Sequence, residues 1–307
     1  MYNLRKFFIP IFMLFFSYIS VSQTITQSSG LIKRFEQFPS VYVSSRNIDV
    51  WLPEDFNDSL KYSVLYMHDG QMLFDSTTTW NHQAWNVDDI AARLMKTREI
   101  GNLIIVGIWN SDKRHSEYFP QKPFETLSDD EKKEISEQLN KAGRSTENFI
   151  PESDNYLKFI VSELKPFLDK NFPTVTDQEH TFIAGSSMGG LISLYAVFEY
   201  PQVFGGAACI STHWPGIFAI ENNPIPGVFI KYLQANLNKL TNNLIYFDHG
   251  DQTLDALYPP LQKKIDEVMS TYTTGLWVSR SFPGKDHSEK SWSERFEIPL
   301  KFLAGKN

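Results

Sequence analysis

The stretch HTFIAGSSMGGLISLYAVFEY, His180–Tyr200, decides the fold. A short apolar run ends at Gly185, two serines and a methionine follow, and a glycine pair closes the turn at Gly189 and Gly190. Apolar residues then recur three or four apart at Leu191, Leu194, Tyr195 and Phe198, the period of an amphipathic helix. Gly185-Ser186-Ser187-Met188-Gly189 fits G-x-S-x-G in the context that gives this motif meaning, a strand before it and a helix after it. Glycines two residues to either side of Ser187 let the chain bend so sharply that the serine stands exposed. Ser187 is the candidate nucleophile and Ser186 a filler. The amide of Met188, opening the helix, is a candidate donor to a developing oxyanion.

Outward from this turn, further apolar β-rich runs alternate with helical patterns: SVLYMHDG (63–70), NLIIVGIW (102–109), FGGAACIS (204–211), NLIYFDHG (243–250) and GLWVSRSFPG (275–284). One helical pattern runs through Tyr156, Ile160, Leu164 and Phe167. Continuous apolar strands separated by helices predict a mostly parallel central sheet covered on both faces. Ahead of them SVYVSSRNIDVWLPEDF (40–56) alternates and turns near Arg46-Asn47, as an antiparallel N-terminal hairpin would. From 111 to 155 the chain is polar and charged, and reads as an insertion over the edge or top of the sheet. Its clear helix starts at Ser128, with Glu131 three residues on in a capping-box pattern, and ends near Gly143. Its few apolar residues predict weak anchoring to the core and a role shaping access to the site.

A serine hydroxyl attacks only when a base takes its proton. In the chain order that accompanies this elbow, an acid and then a histidine follow the serine. His180 opens the strand at its far end, His82 and His115 precede the serine, His249 ends a strand, and His213 precedes every candidate acid. His287, in FPGKDHSEKSW after the last strand, stands where the base belongs. Trp292, one helical turn on, reads as packing that positions its loop. The acid must fix the imidazole tautomer. Asp248 lies within its strand, whereas Asp251 and Asp255 follow Gly250 in the loop. Asp251 sits directly after the glycine, where an aspartate tends to cap its own turn, and Asp255 has the longer reach, so Asp255 is favoured with Asp251 as the alternate.

A second oxyanion donor is needed, and LYMHDGQMLFD offers it: the amide of Gln71, just past Gly70, with Met72 next. Aromatic and cationic residues in the strand-following loops, Trp80, Trp85, Trp214 and Arg114, are candidates to bind substrate, since sites of open α/β sheets form on that rim. The alternative for each is core packing or a structural ion pair. His68-Asp69 and Asp248-His249-Asp251 make weak metal sites, because adjacent strand residues point to opposite faces. No metal is expected, and no cofactor is implied.

The chain begins MYNLRKFFIPIFMLFFSYISVSQT: two basic residues, an apolar run from Phe7 to Ile19 broken by Pro10 and Ser17, then small residues. That is the pattern of a secretory signal peptide at 1–22, cleaved before Gln23, rather than a retained anchor. It predicts export to the periplasm or the extracellular space. The leader carries two of the 29 basic and none of the 36 acidic residues, so the mature chain holds 27 against 36, a net charge of −9. Such a surface argues against nucleic acid and against stable membrane association after cleavage. Cys209 is the single cysteine and lies in an apolar strand, so it reads as packing, and stability must come from a large core. With no repeat or linker, 23–307 reads as one domain.

Taken together, LYMHDGQMLFD, RHSEYFP, GSSMGGLIS, YFDHGDQTLDALY and GKDHSEKSW resemble the putative-esterase family, which includes enterochelin esterases, feruloyl and other carbohydrate esterases, and esterase D-type thioesterases. The resemblance spans about Ser40 to Leu303 and implies an α/β-hydrolase fold with a serine triad, its acid in the loop after Gly250. The expectation is an exported serine esterase working by acyl-enzyme on a small-molecule or carbohydrate ester, with feruloyl or acetyl esters favoured. A siderophore trilactone is the second substrate class. An acyltransferase on the same triad and a catalytically silent binding protein are rivals from other function classes.

Overall fold

The computed structural model describes residues 22–27, 29–145, 148–218 and 220–306. Its strands are β1 (Ser22–Gln27), β2 (Gly30–Phe38), β3 (Arg46–Pro53), β4 (Ser63–His68), β5 (Leu103–Ile108), β6 (Thr181–Ser186), β7 (Gly206–Ile210), β8 (Leu244–His249) and β9 (Leu276–Ser281). They form one sheet in the order β1-β2-β3-β5-β4-β6-β7-β8-β9. From β5 to β9 every pairing is parallel, while β1, β2 and β3 are antiparallel to their neighbours. The apolar runs read from the sequence are the six parallel strands, each within three residues of its predicted ends. The leader read at 1–22 falls outside the described residues except for Ser22, the first residue of β1.

The helices are α1 (Val87–Lys96), α2 (Arg114–Tyr118), α3 (Gln121–Glu125), α4 (Asp129–Lys141), α5 (Ser153–Phe159), α6 (Lys165–Asn171), α7 (Met188–Glu199), α8 (Ile225–Asn236), α9 (Pro259–Met269), α10 (Glu289–Ser293) and α11 (Glu297–Ala304). A π-helical turn, Ile160–Leu164, joins α5 to α6. Alternation along β4 shows why both faces need cover. Val64 and Tyr66 join Leu157, Leu191 and Phe229 on one face, and Leu65 and Met67 join Leu94, Phe296 and Leu300 on the other. The helix after the elbow, expected to be amphipathic, is buried all round from Met188 to Phe198, as a helix apolar on every face must be.

The N-terminal hairpin is real but lies elsewhere than the alternation indicated. It pairs β2 with β3, and the segment 40–56 supplies only its second arm. The hydroxyl of Ser40 accepts the amides of Tyr42 (2.9 Å) and Val43 (3.1 Å), a local turn that competes with strand pairing. Arg46 begins β3, and its buried guanidinium grips Glu117 through both terminal nitrogens, at 2.9 and 2.6 Å.

That ion pair also corrects the expectation of a weakly anchored insertion. Ser128 and Glu131 form the capping box at the start of α4, but Tyr118, Phe119, Phe124, Ile135, Leu139 and Phe149 are buried in the larger core cluster. Each such side chain contributes roughly 1.5–3 kcal/mol by burial, so the charged composition concealed a firm attachment.

The strand order reverses at β4, which has β5 on one side and β6 on the other. Chains leaving the carboxyl ends of β4 and β6 diverge there and open a crevice, so the Gly70 turn and the Ser187 elbow face each other.

Candidate active site

Ser187 joins β6 to α7 with φ 58° and ψ −121°, a backbone strain of about 1–3 kcal/mol for a residue with a side chain. Hydrogen bonds over-determine it: the Ser187 amide donates to Ile210 O (3.0 Å), and its carbonyl accepts the amides of Gly190 (3.0 Å) and His213 (3.1 Å). Gly185 is required by close approach, since a Cβ there would lie 2.9 Å from the Gly189 carbonyl. Ser186 is buried, whereas Ser187 is half-exposed.

Asp255 lies in a 3-10 helix, Thr253–Leu257, between β8 and α9, and His287 lies between β9 and α10. Their loops are tied together: the amides of Asp251 and Gln252 both donate to Lys285 O at 3.0 Å, and the His287 amide donates to Thr253 Oγ1 at 3.0 Å. A side chain at Gly250 would overlap the Lys285 carbonyl, so only glycine lets the loops meet this closely. The fully buried Asp255 places Oδ1 2.5 Å from His287 Nδ1. Burial works against its charge, but the bonds from His287, Ser211 and Gly250 outweigh it and hold the carboxyl below its ordinary pKa. Asp251, the alternate acid, turns the other way and accepts the Gly284 amide at 2.7 Å. The rings of Trp292 and Tyr258 meet His287 edge-on, with centroids 5.0 and 5.8 Å away.

Behind the pair runs a network the sequence did not disclose. Ser211 Oγ donates to Asp255 Oδ2 (2.6 Å) and accepts from Trp292 Nε1 (3.0 Å) and Arg295 Nη2 (2.8 Å). Arg295, itself buried, reaches Asp248 Oδ1 at 3.0 Å. Asp248 also receives the Tyr246 hydroxyl at 3.0 Å, yet burial still leaves its pKa raised. The one signal for this network was a polar residue, Ser211, ending an apolar strand.

On the facing side, Asp69 adopts φ 57° and starts the 3-10 turn Gly70–Met72. Its carboxylate is held by Arg114 Nε (2.6 Å) and Nη2 (2.8 Å) and by Asn110 Nδ2 (2.6 Å). Burial opposes both charges, and their mutual contact outweighs it, lowering the Asp69 pKa and raising that of Arg114. The turn lies against the elbow: a Cβ on Gly189 would be 3.5 Å from His68 Cβ. Met188 opens α7 and Gln71 is second in its turn, so neither amide has an acceptor within its own helix. His68 Nδ1 lies 2.9 Å from Tyr156 OH while Asp69 faces Arg114, and among the described residues no three His, Cys, Asp or Glu side chains gather as metal ligands would.

The family model described as "Putative esterase" matches residues 42–297. The chain belongs to that family. The uncharacterized protein YbbA of Bacillus subtilis is 26% identical over 270 residues, which cover 86% of this chain and 94% of YbbA. Among solved structures, the BES protein of Bacillus cereus superposes with a TM-score of 0.65 at 17% identity, covering 92% of this chain and 98% of that one. A ferulic acid esterase of the anaerobic fungus Anaeromyces mucronatus gives a TM-score of 0.55 at 18% identity, over 91% and 92% of the two chains. Likeness at such identities is one of fold, here the α/β-hydrolase-like fold of esterases.

In this esterase two of the four expected substrate contacts are interior. Trp85 is 3% exposed and packs 5.3 Å from Trp292, behind the His287 loop. Trp214 is 2% exposed, and its Nε1 donates to Gln262 Oε1 at 2.9 Å beneath α9. Trp214 is stable inside with its N–H satisfied, and the two indoles pack in the core clusters on either face of the sheet, Trp214 in the larger and Trp85 in the smaller. Arg114 spends its fork on Asp69, so it braces the Gly70 turn. Trp80 is 83% exposed, on a loop whose Asn81 donates to Glu289 Oε2 of α10 at 2.8 Å. Sequence reasoning passed over Phe218, 53% exposed and 5.9 Å from the His213 ring, and it did not single out Tyr258.

Proposed function

We propose that this esterase hydrolyses carboxylic esters through an acyl-enzyme on Ser187. The observation that carries the reading is the buried Asp255 carboxylate at 2.5 Å from His287 Nδ1, which leaves the Nε2 lone pair free to act as a base beside the strained elbow. His287 takes the Ser187 proton as Oγ bonds to the ester carbonyl carbon. The negative charge that collects on the carbonyl oxygen is met by the Met188 and Gln71 amides. As the intermediate collapses, His287 passes the proton to the departing alcohol. Water, deprotonated by the same imidazole, then attacks the acyl-enzyme, and the proton returns to Ser187 as the acid leaves.

The leader at 1–22 supports export. Exposed aromatic side chains at Trp80 and Phe218 favour an aromatic or carbohydrate acyl ester, the feruloyl and acetyl class. The test is hydrolysis of short p-nitrophenyl esters, methyl ferulate, acetylated xylan and a catechol trilactone by the parent, Ser187→Ala and Ser186→Ala proteins. Ser187→Ala is expected to lose about four to six powers of ten in kcat, and Ser186→Ala to stay within about tenfold. Activity surviving Ser187→Ala refutes the serine mechanism, and preference for the trilactone refutes the substrate class.

A further inference from the structure

Ser211 follows β7 with φ 42°, a strained conformation for a residue with a side chain, and its amide is anchored to Asp248 O at 2.8 Å. Its hydroxyl has one direction open to it. Trp292 Nε1 and Arg295 Nη2 can only donate, so Oγ accepts from both and its own hydrogen goes to Asp255 Oδ2. An unbroken chain of side chains therefore runs from Asp248 through Arg295, Ser211 and Asp255 to His287.

The charges along this chain are unevenly shared. Asp248, Asp255 and Arg295 are all buried, and Arg295 Nη2 lies 3.0 Å from Asp248 Oδ1 but 4.0 Å from Asp255 Oδ2. The guanidinium belongs to Asp248, so one negative charge is left over, on the Asp255 side, and an imidazolium on His287 makes the cluster neutral. The other ionisable groups facing it do not change that sum. Beside Asp248, the Tyr246 hydroxyl donates to Oδ2 at 3.0 Å, His249 bonds Gly250 O at 2.6 Å, and Arg280, its register partner on β9, is exposed. Burial keeps Cys209 and Tyr258 protonated, and it holds His213, 2.9 Å from the Tyr258 hydroxyl, neutral with a pKa of about 3. Asp286, next to His287, is occupied by the Ser288 and Ser291 hydroxyls at 2.6 and 2.5 Å.

We propose that Asp248 is the counter-ion that keeps Arg295 from neutralising Asp255, so that the triad acid retains a full charge for the imidazolium formed during attack. The inference rests on the serine-esterase reading above. Arg295 fixes Ser211, and Ser211 aims the Asp255 carboxylate, but a guanidinium beside that carboxylate also competes with His287 for its charge. Asp248 removes the competition and leaves the bonding in place. Asp248, Arg295 and Ser211 act through Asp255 and are positioning residues.

The pH profile of kcat/KM on p-nitrophenyl acetate tests this, because its acid limb reads protonation of the base. Asp248→Asn keeps the shape: the amide oxygen can still accept from Arg295, and the NH2 can donate to the Tyr246 hydroxyl. With Arg295 no longer balanced, the limb should move about 1 pH unit lower, the low end of what a charge at this range does, and kcat should fall about tenfold with KM nearly unchanged. Arg295→Gln alone strands Asp248 in the interior, so the decisive comparison is Asp248→Asn/Arg295→Gln, neutral at both positions. The second substitution should repair the first, returning the limb to within about 0.3 pH unit of the parent and recovering most of the kcat that Asp248→Asn lost. An unmoved limb in Asp248→Asn overturns the inference, as does a double variant no better than the single one, the result two structural losses would give. Ser187→Ala run alongside separates the two readings: hydrolysis persisting in that variant sinks the serine mechanism itself, whereas its loss there leaves only the role of Asp248 at stake.

Discussion

Asparagine in place of Asp255 exchanges one carboxylate oxygen for an NH2, and the surroundings dictate which one. Oδ2 receives the Gly250 amide at 2.6 Å and the Ser211 hydroxyl at 2.6 Å, and a backbone N–H can only donate. The amide oxygen must therefore stay at the Oδ2 place, which turns the NH2 toward His287 Nδ1. The imidazole is then forced to accept at Nδ1 and to carry its proton on Nε2, where it opposes the serine it should deprotonate. Reversing the amide would set two buried donors against each other, at about 1–3 kcal/mol for each group left unsatisfied. With the lost stabilisation of the imidazolium added, the total is about 5 kcal/mol, or about four powers of ten in kcat. The assay is kcat on p-nitrophenyl acetate for Asp255→Asn, Asp255→Ala and Asp251→Asn, with melting curves as folding controls. Asp255→Ala leaves the tautomer unconstrained and should be no slower than Asp255→Asn. Asp251→Asn, a turn cap, should stay within about threefold. A kcat for Asp255→Asn within tenfold of the parent refutes the reasoning, as does Asp255→Ala slower than Asp255→Asn by more than tenfold.

Arg114→Gln should lower kcat by about tenfold with KM nearly unchanged, because the guanidinium fixes the turn that presents the Gln71 amide rather than the substrate; a raised KM at constant kcat returns Arg114 to substrate binding. Asp88, second in α1, is buried with Oδ1 unbonded, and burial first and the Asp89 charge second raise its pKa to about 6. A carboxyl raised on folding contributes stability below its unfolded pKa and loses it as pH climbs through about 6, so ionised Asp88 costs up to about 3 kcal/mol at pH 8. Asp88→Asn should therefore raise Tm by about 2–6 °C at pH 8 and by nothing at pH 4, and an equal gain at both pH values counts against the assignment.

Features written in consecutive residues were legible in the sequence. The six parallel strands, the bend at Gly185–Gly189 and the capping box at Ser128 depend on periodicity, backbone sterics and short-range hydrogen bonds, all local to a few residues. That Asp255 rather than Asp251 meets His287 was legible too, because four more residues past Gly250 give the side chain its reach, but the own-turn cap expected of Asp251 is replaced by a bond across the loops to the Gly284 amide. Where a long side chain finds its partner was not legible. Trp85 and Trp214 sit in loops that suit a rim or a core equally, and only the covering of α10 and α9 made them interior. Asp69 meets Arg114, Ser211 meets Arg295 and His213 meets Tyr258 across 45, 84 and 45 positions of chain. Such pairs carry no periodic mark, because their contact depends on how the crossovers stack the strands: local sterics select each element, and packing between elements decides which polar groups share the buried space around Ser187.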